Sequence, residues 1–253
     1  MEIFQDYAYY YNTFYQDKNY KLEAIYVDTL LKRYGKENIK SVINYGCGTG
    51  KHDIELSKLG YQCIGIDMSP LMVDIARNNV QIEQEEIEFY VADIRKYIPN
   101  KKYDAVISLF HVMSYQNSND DIIATFKSTR KALDKGGLFL FDVWYGPGVL
   151  SDKPSIRVKE VENEKYRLVR IAYPVMHNTT NVVDVCYEVL VIDKQTGETR
   201  IINETHHMRY FFKPELEFYL KETGFKVIDN LDCKTLGKTD FSSWTSYFVA
   251  KAI

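Results

Sequence analysis

Strand-like and helix-like segments alternate along the chain between residues 41 and 144, and this alternation constrains the fold more than any other feature. Strands are predicted at residues 41–45, 61–66, 87–91, 103–109 and 137–144, and helices at residues 20–35, 52–59, 70–79 and 120–133. Strands that alternate with helices form right-handed βαβ units, which build a parallel sheet. We therefore expect an α/β fold of the Rossmann-like, doubly wound kind with a mostly parallel sheet.

The pattern changes after Trp144. Residues 155–212 are rich in β-branched and aromatic side chains and contain no convincing helix, and residues 182–191 and 198–212 are predicted as long strands. Between these strands lies the turn-forming sequence Lys194-Gln195-Thr196-Gly197, which is typical of an antiparallel connection. The sequence therefore predicts an antiparallel β-sheet inserted into the α/β domain.

The end of the chain returns to the first pattern. Pro214 is predicted to open a helix that ends near Gly224, and two final strands follow. A chain of 253 residues suits one large domain with an insertion. The expected parts are an N-terminal helical lid at residues 1–37, a cofactor domain at residues 38–145 and 213–253, and an inserted antiparallel subdomain over the acceptor site at residues 146–212.

Composition and charge exclude several classes of protein. The net charge of -3 argues against an electrostatic grip on nucleic acid. No uninterrupted apolar stretch approaches the roughly 20 residues that cross a bilayer, and the N-terminus does not resemble a secretory signal. The four cysteines are widely spaced and form no CxxC motif, so we expect a reducing, cytoplasmic setting without a disulfide or metal framework.

The segment from Val42 to Gly50 says most about a ligand. Its sequence, Val-Ile-Asn-Tyr-Gly-Cys-Gly-Thr-Gly, is a strand that runs into a GxGxG turn, and a helix follows. Glycines permit a tight turn and a close approach of the backbone to a ligand. Asp67 and Asp93 come at the ends of the next two strands. Open α/β sheets bind ligands at the carboxyl ends of their strands, where an acid can accept both ribose hydroxyls of a nucleoside.

Other nucleotide-binding turns fit these residues less well. A P-loop requires GxxxxGK before Ser or Thr, whereas Gly50-Lys51 precedes His52 and Tyr45 occupies the first glycine position. A dinucleotide-binding turn has the spacing GxGxxG, and the third glycine here comes one residue early. The structural alternatives are helix capping for the first of the two acids and a solvated loop position for the second.

These residues resemble the class I S-adenosylmethionine-dependent methyltransferases, closely over residues 38–145 and more loosely over residues 213–253. The resemblance implies S-adenosylmethionine as the cofactor and a seven-stranded sheet whose last strand is antiparallel. It places the methionine part of the cofactor on the glycine turn, the ribose on Asp67 and the adenine against Met68. The family usually has an acid where this chain has Asn44, a departure that bears on cofactor binding. The expected cofactor-binding residues are Gly46, Cys47, Gly48, Gly50, Asp67, Met68, Asp93, Ile94, Leu109, Tyr11 and Tyr20.

Methyl transfer from a sulfonium requires an acceptor lone pair in line with the S–CH3 bond. Orientation of the reactants supplies about 7–11 kcal/mol, whereas a general base contributes about 3–5 kcal/mol, so positioning should dominate. His111 and Tyr115 follow the fourth strand and are the candidate catalytic residues. His111 is suited to act as a base, with a structural hydrogen bond as the alternative, and Tyr115 is suited to orient the acceptor.

Six tyrosines lie within the first 20 residues, and in similar methyltransferases a mobile segment that bears tyrosines closes over the cofactor. Tyr11 and Tyr20 are expected to face the cofactor and Tyr15 the acceptor, with packing against the body of the protein as the alternative. On the inserted sheet, His207 and Arg209 are candidate acceptor-binding residues because strand alternation places them on one face. Arginine also suits phosphate or carboxylate recognition. No metal site is predicted.

The sequence thus predicts a methyltransferase for a small, polar and anionic acceptor. A nucleotide-linked sugar or a precursor of capsule or other surface polysaccharide fits, methylated on nitrogen or oxygen, phosphoryl oxygen included. The similar amino-sugar enzymes carry a histidine near position 115, where this chain has tyrosine, and this argues against an amine. The alternatives are a non-catalytic regulator that binds S-adenosylmethionine and an RNA or protein methyltransferase. No nucleic-acid or membrane partner is expected, and a homodimer is compatible with the sequence.

Overall fold

The computed structural model describes residues 7–177 and 179–253. Its helices are α1 (Ala8–Phe14), α2 (Tyr20–Tyr34), α3 (Lys51–Lys58), α4 (Pro70–Glu83), α5 (Asn119–Ala132), α6 (Gly146–Ser151) and α7 (Lys213–Glu222). Its strands are β1 (Ser41–Tyr45), β2 (Gln62–Asp67), β3 (Glu88–Val91), β4 (Tyr103–Ser108), β5 (Leu133–Tyr145), β6 (Arg157–Glu162), β7 (Tyr166–His177), β8 (Val182–Asp193), β9 (Thr199–Phe211), β10 (Phe225–Asp232) and β11 (Thr245–Ala252). The first six residues of the predicted lid lie outside the described residues.

The central sheet has the strand order β3-β2-β1-β4-β5-β11-β10. Strands β1 to β5 pair in parallel, and β11 runs antiparallel to both β5 and β10. The prediction of a mostly parallel, seven-stranded sheet with an antiparallel last strand is confirmed. This order places the chain reversal between β1 and β4, so that the carboxyl ends of these strands flank a crevice suited to a ligand.

Helices cover both faces of the central sheet. Ile122 and Phe126 of α5 pack with Leu216 of α7 in the core on one face, whereas Leu30 of α2 and Leu56 of α3 pack on the other. Burial on both faces explains why the central strands are apolar almost throughout. The sheet is therefore doubly wound, as the sequence predicts.

Local sequence fixes where the helices begin. The Ser69 side chain accepts a hydrogen bond from the Met72 N–H, and Pro70 occupies the first helical position of α4. The Asn19 side chain accepts from the Leu22 N–H at the start of α2 in the same way. These caps position the connections that follow β2 and precede α2, both of which border the carboxyl ends of the strands.

Strands β6 to β9 form an antiparallel sheet, but this sheet is continuous with the central one. The last residues of β5 pair in parallel with the end of β9, Trp144 with Tyr210 and Tyr145 with Phe211. The join arises because β5 extends to Tyr145, past the end of its neighbour β4.

None of the described helices is both long and apolar enough to cross a membrane.

Candidate active site

The glycine turn after β1 is closed on one side and open on the other. The N–H groups of Gly46 and Cys47 donate to the Ile66 carbonyl at 2.7 and 3.0 Å. Gly46 has φ 76°, and a Cβ there would lie 2.4 Å from a methyl of Val112. Gly48 has φ 55°, and a Cβ there would meet no atom within 4 Å. The open side at Gly48 therefore has room for a ligand that touches the backbone.

The other members of the turn support it rather than line it. The Cys47 side chain is buried among apolar side chains of α3 and α4, and burial raises the pKa of its thiol. Gly50 directly precedes α3. The Thr49 hydroxyl donates to Asn12 Oδ1 of α1 at 2.9 Å, so the N-terminal helix touches the glycine turn.

Asp67 ties this turn to the end of β2. Its Oδ2 accepts from the Gly48 N–H at 2.8 Å, and its Oδ1 accepts from the Ser69 N–H at 2.9 Å. Burial raises the pKa of this carboxyl. A carboxylate has about four lone-pair sites, so capacity for further donors remains. Met68 beside it is 59% exposed and presents a free apolar surface.

Asp93 is engaged differently. Both of its carboxylate oxygens accept from the Arg95 guanidinium, at 2.9 Å from Nε and 2.8 Å from Nη2. Arg95 also donates to Asp121 at 2.7 Å. The hydrogen bonds from Arg95 lower the pKa of Asp93. Asp93 is therefore held as an ion pair at the end of β3, next to the buried side chain of Ile94.

The departure at Asn44 has a compensating acid. Asn44 Nδ2 donates to Asp53 Oδ2 of α3 at 2.9 Å, and both side chains are fully buried. Burial raises the pKa of Asp53 to about 8, because the ionised form is costly without solvent. The similar methyltransferases usually have a carboxyl on β1, and here Asp53 of α3 places a carboxyl beside that position.

This pair predicts a pH-dependent stability. Unfolded Asp ionises near pH 4, so the folded protein holds one more proton than the unfolded chain between about pH 4 and pH 8. Its free energy of unfolding should therefore fall as the pH rises through that window. Asp53→Asn keeps an amide in place and should flatten the fall. Urea denaturation of both proteins near pH 5 and near pH 8 measures the difference. An identical pH slope in the two proteins would contradict the protonated Asp53.

A histidine in the loop after β4 meets a carboxylate of β5. The His111 N–H donates to Asp142 Oδ1 at 3.0 Å, and His111 Nδ1 lies 2.6 Å from Asp142 Oδ2, the distance of an ion pair. Asp142 is buried. Phe110 and His111 both have positive φ, 64° and 68°, a costly conformation for non-glycine residues. The strained loop and the carboxylate together restrict the imidazole, two residues after Leu109, which is buried just past the end of β4.

A second chain of polar groups begins at Tyr115. Its hydroxyl lies 2.7 Å from His206 Nδ1, and His206 Nε2 lies 3.2 Å from Glu204 Oε2. Burial raises the pKa of the Tyr115 phenol. The three side chains come from the loop after β4 and from alternate positions of β9, so the chain joins the two sheets.

The predicted lid tyrosines lie over these groups. The Tyr15 ring stands edge-on to Phe110 with centroids 5.1 Å apart, and Tyr11 lies 4.6 Å from Tyr15. Tyr20 stands edge-on to His52 at 4.9 Å, and its buried hydroxyl has no hydrogen-bond partner among the described residues. The structure therefore brings Tyr11 and Tyr15 to the strand ends, and Tyr20 to the start of α3.

The two candidates on β9 differ in position, and only Arg209 contacts the loop after β4, where its Nη1 donates to the Asn117 carbonyl at 3.4 Å. His207 is exposed, and its Nδ1 lies 2.5 Å from Asp184 Oδ1 on the neighbouring strand. Arg209 is buried, donates to Glu215 Oε1 of α7 at 3.1 Å and stacks over Phe211. His207 thus faces solvent, and Arg209 connects β9 to α7.

Sequence reasoning missed Asp142, Glu204 and His206. Asp142 lies inside β5, one residue after the partner of Ser108 at the end of β4, and a carboxylate within this apolar strand was a usable signal. His206 and Glu204 face Tyr115 because they lie two residues apart on one face of β9, and only the docking of β9 against the loop after β4 reveals that contact.

Comparison with known proteins agrees with this geometry. Residues 42–137 match the family model described as a methyltransferase domain. A crystal structure of an S-adenosylmethionine-dependent methyltransferase from Clostridium acetobutylicum ATCC 824 has a TM-score of 0.81 to this chain at 18% identity and covers 99% of both chains. The chain therefore contains a methyltransferase domain at residues 42–137 and has the fold of the class I S-adenosylmethionine-dependent methyltransferases.

Two relatives extend the match. A putative methyltransferase from Geobacillus sp. (strain WCH70) is 29% identical over 140 residues, which span 55% of this chain and 57% of that protein. The dTDP-3-amino-3,4,6-trideoxy-alpha-D-glucopyranose N,N-dimethyltransferase of Streptomyces venezuelae is 24% identical over 224 residues, which span 88% of this chain and 91% of that protein. The second alignment thus includes most of the antiparallel sheet as well as the central one.

The residues at the strand ends fit S-adenosylmethionine. The space over Gly48, the free lone pairs of Asp67 and the exposed Met68 match a methionine chain, a ribose and an adenine in turn. When bound, S-adenosylmethionine supplies an electrophilic methyl group. The chain's own contribution is then to orient the acceptor and to take up the proton that the acceptor releases.

Proposed function

We propose that this methyltransferase acts on an amino or hydroxyl group of a small, sugar-like acceptor, with a nucleotide-linked amino sugar as the first candidate. The observation that carries the proposal is the cover over the strand ends. Helix α1 lies between the glycine turn and the antiparallel sheet, through Thr49–Asn12 on one side and Arg170–Tyr7 on the other. An acceptor beneath this cover has to be small.

The division of the chain follows from the same cover. In this proposal residues 1–37 are the lid, residues 38–145 and 213–253 hold the cofactor, and residues 146–212 form the wall of the acceptor site. A lid that closes over bound ligands excludes water and completes the site. A folded RNA or protein surface would not fit below it, whereas a monosaccharide would.

The relatives support a sugar acceptor. The Streptomyces venezuelae enzyme, whose name gives an amino sugar as its acceptor, aligns with most of the chain and not only with the cofactor domain. The histidine near position 115 of the amino-sugar enzymes has a counterpart here, because His206 Nδ1 lies 2.7 Å from the Tyr115 hydroxyl. An imidazole is therefore present near that place after all, and this favours an amine.

In the proposed reaction His111 is the base. Asp142 Oδ2 lies 2.6 Å from Nδ1, and Nε2 has no hydrogen bond to any described residue, so Nε2 is the nitrogen that would take the proton from the acceptor. Asp142 is then a positioning residue. Tyr115 would orient the acceptor, with His206 and Glu204 behind it.

The proposal predicts a drop in turnover for His111→Asn. The amide fills similar space but is not basic, so kcat should fall by about 100-fold while the affinity for S-adenosylhomocysteine stays the same. His207→Asn, the same change at an exposed histidine, is the matched control and should keep full turnover. Full turnover in His111→Asn would remove the base role from His111.

Mass spectrometry of products tests the function itself. The purified protein is incubated with S-adenosylmethionine and one acceptor at a time. The acceptors are a dTDP-linked amino sugar, the corresponding dTDP-linked hydroxy sugar, a short RNA and a protein extract. We expect methylated product from the nucleotide sugars, and from the amine most of all. Product from the RNA or the protein alone would contradict the proposal.

A further inference from the structure

One face of the antiparallel sheet lies against α1, and we call it the inner face. Tyr187 of β8 pairs with Ala172 of β7 and Glu204 of β9, and Arg170 lies two residues from Ala172. Strand alternation puts all four side chains on the same face. The Tyr7 N–H of the segment that leads into α1 donates to Glu204 Oε1 at 3.3 Å, which shows that this face meets the lid.

Arg170 is held on the inner face by aromatic groups. Its Nη1 donates to the Tyr7 hydroxyl at 2.6 Å and to the Tyr15 hydroxyl at 3.2 Å. Its guanidinium carbon lies 5.2 Å from the Phe14 ring centroid and 4.8 Å from that of Tyr187. Phenols and ring faces stabilise the charge in part, but they do not neutralise it.

No described residue supplies a counter-ion for Arg170. Within residues 7–177 and 179–253, no carboxylate forms an ion pair with it, and its buried Nε has no hydrogen-bond partner. Other arginines differ, because Arg95, Arg167 and Arg209 each pair with a carboxylate. A partly buried charge without a counter-ion is costly. A guanidinium has five N–H donors, and both hydrogen bonds to the tyrosine hydroxyls come from Nη1.

We infer that Arg170 binds an anionic oxygen group of the acceptor, a phosphate or a carboxylate. The inference rests on the proposed function and names the part of the acceptor that the inner face of the antiparallel sheet recognises. Tyr15 links the two ends of the site, since its hydroxyl bonds to Arg170 and its ring contacts Phe110, next to His111. Lys159, which pairs with Arg170 in the sheet register, lies 5.7 Å from the Tyr15 ring centroid, but its ammonium already pairs with Asp17 at 3.0 Å.

The geometry of the acceptor follows from this link. The anionic group lies at the hydroxyl end of Tyr15, and the atom that receives the methyl group lies at its ring end. Arginine is suited to this role because its fork of donors matches the oxygens of phosphate and carboxylate. Binding of the anion would also hold Tyr7 and Tyr15 in place, and with them the lid.

Calorimetry on the full chain saturated with S-adenosylhomocysteine tests the inference, with pyrophosphate, inorganic phosphate and malonate as probes. We expect at least one of these anions to bind, and Arg170→Gln to weaken its binding by about 10- to 100-fold. Arg170→Lys keeps the positive charge and a long side chain among the surrounding aromatic rings, so it should weaken anion binding less. Arg167→Gln, an exposed arginine on the same strand, is the matched control and should bind as the unaltered protein does.

The outcomes separate the two proposals. Preferential binding of pyrophosphate or phosphate assigns a phosphate to the acceptor, and preferential binding of malonate assigns a carboxylate. Equal anion affinity in Arg170→Gln and the unaltered protein overturns the inference, and so does the absence of anion binding to protein that binds S-adenosylhomocysteine. Failure to bind S-adenosylhomocysteine at all would instead contradict the proposed function. Unchanged affinity of both Arg170 variants for this ligand shows that they are folded.

Discussion

Replacing Asp67 with alanine is expected to lower the affinity for S-adenosylhomocysteine by about 100-fold or more. Hydrogen bonds to a charged group contribute about 1.5–3 kcal/mol each, and the carboxylate can accept both hydroxyls of a ribose. The same substitution releases the Gly48 N–H and the Ser69 N–H, which Asp67 holds at 2.8 and 2.9 Å. The glycine turn therefore loses its anchor together with the ribose acceptor.

Titration calorimetry measures this effect, and Asp93→Ala is the matched control. Asp93 also follows a strand of the central sheet, but Arg95 already occupies both of its carboxylate oxygens. We expect its removal to weaken binding by less than about tenfold, because a partly exposed ion pair contributes little. Equal losses of affinity for S-adenosylhomocysteine in the two variants would contradict the placement of the ribose on Asp67. An undiminished affinity in Asp67→Ala would show that Asp67 does not bind ribose.

Two glycine substitutions should separate stability from cofactor binding. Gly46→Ala should reduce the free energy of unfolding by about 2–5 kcal/mol, because the positive φ costs about 1–2 kcal/mol and the contact with Val112 adds overpacking. Gly48→Ala meets only the cost of positive φ, since nothing lies within 4 Å of the added carbon. It should nevertheless weaken the binding of S-adenosylhomocysteine by at least about tenfold, because the carbon fills the cofactor's space.

Urea denaturation and calorimetry on both variants measure the two effects. Gly46→Ala combined with Val112→Ala is the control for the clash, and the smaller side chain should restore part of the lost stability. Unimpaired cofactor binding by a stable Gly48→Ala protein would place the cofactor elsewhere. A Gly46→Ala protein as stable as the unaltered one would show that Val112 moves away from the turn.

The central sheet could be predicted because each of its elements is specified locally. Ser69 and Pro70 mark the start of α4, and the apolar run in β4 marks a strand covered on both faces. Periodicity of this kind survives without knowledge of tertiary contacts. The join of β5 to β9 could not be predicted, because pairing between residues so distant in sequence depends on how the two sheets dock.

The same distinction holds for the site. Gly46, Gly48, Asp67 and Met68 lie at the strand ends where the motif predicts a ligand, since a parallel sheet brings these ends together. His207 was singled out on β9, whereas its neighbour His206 is the histidine that meets Tyr115. Alternation distinguishes the two faces of a strand, but only packing decides which face meets the site.

A crystal structure with S-adenosylhomocysteine tests the central claim, that the carboxyl ends of β1 to β4 hold the cofactor. We expect the ribose hydroxyls on Asp67, the adenine against Met68, the homocysteine chain over Gly48 and the sulfur directed toward His111. A cleft of about 380 Å³ between α2, α3 and α4, lined in part by Lys21, Glu55 and Ile82, is another place with room for a ligand. Density for the nucleoside in that cleft, with the glycine turn empty, would contradict the account.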